Sequence, residues 1–131
     1  MAIDSYVPNN TKLHMLRKAF PAGDTYKIAL YSSDPSTSKY TSRGEVSGKG
    51  YTPGGLALEG YTCDLQGSTA YINFKSPKWE NSSIEASYAM IYNSSDNGTV
   101  VVVLEFDETI SKNATFYVEF PANGPSALLT L

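Results

Sequence analysis

Two runs of alternating side chains constrain this sequence more than any other feature. Ile84, Ala86, Tyr88, Met90 and Tyr92 occupy every second position. After the turn Asn93-Ser94-Ser95-Asp96-Asn97-Gly98 they are answered by Val100, Val102, Leu104 and Phe106. A period of two puts one row of side chains on one face of a strand, and an Asn-Gly turn between two such rows closes an antiparallel hairpin. Val101 and Val103 add apolar groups to the opposite face, so the second run is expected to be central and covered on both sides.

The same reading extends along the chain. Asp24 to Ser32 is expected as a strand, with Tyr26, Ile28 and Leu30 inward and Lys27, Ala29 and Tyr31 outward. Leu56 to Leu65 reads as one strand bulged at Gly60, and Gln66-Gly67-Ser68 connects it tightly to Thr69 to Lys75. Trp79 begins a short extended piece after Pro77. Thr115 to Phe120 and Ala127 to Leu131 complete the series, separated by turn residues. About seven or eight strands at roughly ten-residue spacing mark an antiparallel β-sandwich of jelly-roll type. The 131 residues fit one domain.

Residues 1–23 form an N-terminal arm and a short helix. Leu13, Leu16 and Phe20 step by three or four between a cap at Asn10 or Thr11 and a stop at Pro21 and Gly23. So short a helix needs a packing partner. Residues 33–55 hold Gly44, Gly48, Gly50, Pro53, Gly54 and Gly55 and few aliphatic side chains, the pattern of a long functional loop.

The chemistry on offer is sparse. Net charge is -3 with no basic cluster, which argues against nucleic-acid binding. No apolar run is long enough for a membrane helix, and the start lacks the pattern of a signal peptide, so synthesis in a cytoplasm is expected. One histidine, His14, and one cysteine, Cys63, fall short of a closed zinc site. Asp96, Asn97 and Asp107 lack the spacing of a calcium loop. No nucleophile elbow or phosphate loop is present, and no cofactor is expected. Trp79-Glu80 is the one place where an aromatic platform adjoins an acid. Ten tyrosines, split between both faces, serve either as contact surface or as cross-strand pairs.

The segment Tyr40-Thr41-Ser42-Arg43-Gly44-Glu45-Val46-Ser47-Gly48-Lys49-Gly50-Tyr51-Thr52-Pro53-Gly54-Gly55-Leu56-Ala57-Leu58 adds a resemblance. With Tyr26 to Tyr31, Ala89 to Ser95 and Phe120-Pro121, in that order, it resembles a family of small structural proteins of tailed bacteriophages. The likeness runs from about Asp24 onward. It implies a virion protein without catalytic residues: a capsid decoration, or cement, protein on the outside of the shell. Its partners would be the major capsid protein and further copies of itself, as a dimer or trimer. The alternatives are a tail or fibre module that binds host-surface carbohydrate and a head-tail connector component.

On this reading the arm and a mobile loop 33–55 carry the shell contacts. The candidate contact residues are Tyr40, Arg43 and Tyr51 in the loop, Tyr31, Tyr71 and Trp79 on strands, and Leu13 and Leu16 on the helix.

Overall fold

The tyrosines and aliphatic rows of the sequence pack between antiparallel sheets in a computed structural model that describes residues 1–131. One helix, α1 (Asn9–Ala19), precedes nine strands. The largest sheet has the order β2 (Leu56–Ala57), β1 (Tyr26–Tyr31), β6 (Glu85–Asn93), β7 (Thr99–Ile110). A second sheet orders β3 (Thr62–Gln66), β4 (Thr69–Asn73) and β9 (Leu129–Thr130). A third pairs β5 (Lys78–Ser82) with β8 (Ala114–Tyr117). Every pair is antiparallel, and the architecture is all-β and sandwich-like.

The main core lies on one face of the large sheet. Ile28, Leu30, Ala89 and Ile91 from that sheet meet Ala70, Ile72, Trp79 and Phe116 from the others and Phe120 from the segment after β8. Apolar area removed from water stabilises this contact by about 25 cal/mol per Å². Helix α1 lays Leu16, with Leu13 and Phe20 beside it, against this core over β3 and β4. It starts two to three residues earlier than the sequence indicates. Pro8 stands at its N-cap with no side-chain cap bond, so Asn10 and Thr11 lie inside the helix. Asn9 Nδ2 and Lys12 Nζ instead donate to the Gly67 and Ser68 carbonyls of the β3–β4 turn.

Three expectations are corrected by the packing. The stretch Leu56 to Leu65 is two strands in two sheets: Leu56–Ala57 pairs with β1, whereas Thr62–Gln66 pairs with β4. Gly60, at φ +73°, lies between them. In β6 the alternation does not keep one face. A register shift between Ala86 and Tyr88 leaves Ile84 and Ala86 in the main core but turns Met90 and Tyr92 to the opposite face. The valine-rich β7 pairs with β6 as expected, yet it is the sheet's edge and is half-buried from Thr99 to Leu104.

The opposite face of the large sheet is covered as well. Ala29, Tyr31, Met90 and Tyr92 form a second buried cluster with Tyr40, Tyr88 and Val100 against it. Tyr40 comes from the loop that follows β1. Residues 33–55 therefore fold back along β1 and its outer face instead of standing free. Tyr31 pairs with Glu45, and Lys39 pairs with Thr99 across the far side of the sheet.

Candidate functional site

The densest polar chemistry in the fold gathers where the loop meets the open edge of β1. Beyond its pairing with β2, β1 still presents backbone groups outward. The Val46 amide donates to the Leu30 carbonyl at 3.0 Å, and the Ser32 amide donates to the Gly44 carbonyl at 3.1 Å. The Leu30 amide, which no strand reaches, donates to the Tyr51 hydroxyl at 3.1 Å. Buried backbone groups need such partners, so a side chain here stands in for a missing strand.

Glu45 organises the rest. Its Oε1 accepts from the Tyr40 hydroxyl at 2.6 Å. Its Oε2 accepts from the Tyr51 hydroxyl and, at 2.8 Å, from the Gly54 amide. The Gly54 carbonyl in turn accepts from the Tyr92 hydroxyl at 2.6 Å, and the Thr41 carbonyl accepts from the Tyr31 hydroxyl at 2.6 Å. Hydrogen bonds to a carboxylate are shorter and stronger than neutral ones, and exclusion from water strengthens them further. The Tyr40 and Tyr92 rings meet at 4.7 Å, and Tyr51 stacks on Trp79 at 6.4 Å.

The glycines of this segment make the close approach possible. Gly55 has φ +83°, and a Cβ there would overlap the Ile28 carbonyl of β1. At Gly48 a Cβ would overlap the Ser83 carbonyl. Only a residue without a side chain allows the loop backbone to lie directly on these strands.

This environment raises the tyrosine pKa values. Burial pushes Tyr31, Tyr40, Tyr51 and Tyr92 above the ordinary tyrosine range, and the Glu45 carboxylate beside them adds to the rise. Burial likewise raises Tyr26 and Tyr61. The hydroxyls of all six donate to groups within the chain, those of Tyr26 and Tyr61 to the Pro21 and Phe20 carbonyls.

Five of the eight candidate contact residues belong to the interior. Tyr31 is fully buried, Trp79 is 2% exposed, and Leu16, Tyr51 and Tyr71 are also core residues. The second covering layer explains Tyr31; Tyr71 lies in β4, between β3 and β9. Trp79 is enclosed by Tyr51 and Phe116, with its Nε1 lacking a hydrogen-bond partner. Leu13 and Tyr40 are half-buried, and Arg43 alone is exposed. The structure thus joins Tyr31, Tyr40 and Tyr51 around Glu45, but as internal support. Glu45 itself escaped the sequence reading; its signal was a single acid among glycines, placed where tyrosines follow and precede it.

Other singled-out groups stay apart. His14 is exposed on α1, and Cys63 is half-buried on β3. Glu80 pairs with Lys78 at 3.1 Å on the surface. No cluster of His, Cys, Asp and Glu is placed to hold a metal ion. Glu85 and Glu108 share a shallow recess of about 120 Å³ with Ser32 and Ser87. There a hydrogen bond from one carboxyl to the other raises the Glu108 pKa. No helix is long and apolar enough to cross a membrane.

The exposed apolar groups are elsewhere. Ile3 is 80% exposed and Tyr6 87%, with Val7 and Met15 following. Residues 1–7 make no hydrogen bond to the rest of the chain. The sequence pointed to the arm as a contact segment, but through Leu13 and Leu16 of its helix; the most exposed apolar side chains lie ahead of Pro8 instead.

The fold and its site thus define the chain as an all-β, sandwich-like protein with a carboxylate-locked loop. Comparison with protein-family models, curated proteins and solved structures yields no significant match in any of the three.

Proposed function

We propose that this chain is a structural protein of a tailed-phage virion, a capsid decoration protein that docks on the outside of the major capsid shell. Such a protein is made in the bacterial host and functions as a stiff body. The observation that carries this reading is the Glu45 lock. Glu45, Gly48, Tyr51, Gly54 and Gly55, the residues of the phage-like segment, all serve to fix one long loop on the sheet.

A rigid loop presents its outer side without paying ordering entropy on docking. That outer side is Ser33 to Ser36 with Arg43 and Gly44, which line a shallow polar recess. Arg43 is the one cation there, suited to a carboxylate of the shell. The carbohydrate-binding alternative loses its platform, because Trp79 and Tyr71 face the interior.

The test is co-sedimentation of the purified chain with shells assembled from the major capsid protein of the phage that encodes it. Saturable binding that raises the shell's melting temperature, weakened by Arg43→Glu, is the expected result. A chain that stays in the supernatant at every shell concentration overturns the proposal.

A further inference from the structure

The edge of the large sheet is left open where its core is least covered. Strand β7 has no strand on its outer side. Segment 38–40 covers only its beginning, through the Val100 amide to the Ser38 carbonyl. Past Val100 no backbone group of β7 has a backbone partner outside β6. Register shifts near Val101 and between Glu105 and Thr109 bracket a regular run, Val102 to Glu105. Beside this run lies a groove of about 280 Å³ whose apolar lining includes Leu104, Phe106, Val118, Phe120 and Leu128. Its only charged lining residues are Glu105 and Glu119. An apolar open edge of this kind accepts an added strand.

The chain also carries a segment that fits it. The arm is exposed throughout and unbonded, with Ile3, Tyr6 and Val7 in water. In an extended segment Ile3 and Val7 fall on one face, about 13 Å apart, with Tyr6 on the other. The three residues between them, Asp4 to Tyr6, fit within the four-residue regular run of β7.

The charges are complementary. Residues 1–23 carry Lys12, Arg17 and Lys18 against one acid, Asp4. The β7–β8 side carries Glu105, Asp107, Glu108 and Glu119 against Lys112. The chain's single ion pair, Lys78–Glu80, uses none of these.

We infer that a second copy of this chain is the occupant: the N-terminal arm of one molecule adds as a strand to β7 of the next, with Ile3 and Val7 in the groove and the basic α1 over Glu105 and Glu119. The donor and acceptor surfaces differ, so the contact is head-to-tail, building a ring where the rotation between copies closes and an open filament where it does not. It stands independently of the shell reading.

Sedimentation velocity of the full chain over a concentration series tests this. Oligomers are expected, and Ile3→Asp with Val7→Asp, on a segment that touches nothing in its own molecule, should weaken association about tenfold or more. Glu105→Lys with Glu119→Lys, both exposed, should do the same. Mixing the two double variants should restore a heterodimer and nothing larger, since one keeps the acceptor and the other the donor. A chain that stays monomeric overturns the inference, whether amide exchange then finds the arm folded onto its own groove or finds the groove protected only when capsid shells are added. Oligomers indifferent to both double variants overturn it too.

Discussion

The Tyr51 hydroxyl donates to the Glu45 carboxylate while it accepts the Leu30 amide. One side chain thereby ties one of the loop's two acids to the backbone of a core strand. Glu45 and Tyr51 lie six residues apart, and both belong to a segment without regular structure beyond two isolated bridges.

Removing the acid should therefore cost more than a surface charge does. Glu45→Ala leaves the Tyr40 and Tyr51 hydroxyls and the Gly54 amide without their acceptor. The expected loss is about 3 kcal/mol, and about 2 kcal/mol for Tyr51→Phe, which removes two hydrogen bonds. Urea unfolding followed by far-ultraviolet circular dichroism measures both. An unchanged midpoint in Glu45→Ala would show that the lock does not hold the loop.

Two glycine variants separate close approach from backbone strain. Gly55→Ala drives a Cβ into the Ile28 carbonyl and should destabilise by more than about 3 kcal/mol. Gly67 also has positive φ, +61°, but a Cβ there meets nothing within 4 Å. Gly67→Ala should cost only about 1 kcal/mol, the strain of a left-handed conformation. Equal losses in thermal unfolding would contradict this placement of the loop on β1.

The tyrosines predict an alkaline transition. Tyr26, Tyr31, Tyr40, Tyr51, Tyr61 and Tyr92 hold their protons more tightly folded than unfolded. Their stabilising effect is complete below the free tyrosine pKa of about 10 and is lost as pH rises from there toward the higher folded values. Tyrosinate absorbance of this group should appear together with loss of circular dichroism, in one cooperative step. Smooth ionisation with the fold intact would rule out their burial.

The Glu85–Glu108 pair acts at the acid end. The folded pKa of Glu108 is raised, so its contribution favours the folded state below the ordinary carboxylate range and is lost as pH rises through the folded value. Glu108→Gln should accordingly raise the melting temperature at neutral pH, and the gain should vanish below pH 4. A gain equal at both pH values would mean that the two carboxylates do not interact.

The sequence alone determined where the strands run. A period of two is local: Tyr26–Tyr31 and Thr69–Asn73 lie within the segments it marks, and Glu85–Asn93 and Ala114–Tyr117 each overrun theirs by one residue. The Gly67-Ser68 and Asn97-Gly98 turns are local too, since each needs only a positive φ at a residue that tolerates it. Alternation names two faces, however, and cannot say whether the second is wet. That was decided by residues far along the chain, when Tyr40, Glu45 and Tyr51 folded back onto β1 and made Tyr31 and Tyr92 interior. The same holds for Trp79 and Tyr71, which look alike in a linear pattern whether they face a partner or a core. Coverage of a face is a property of what packs on it, and only the three-dimensional path of the loop supplies that.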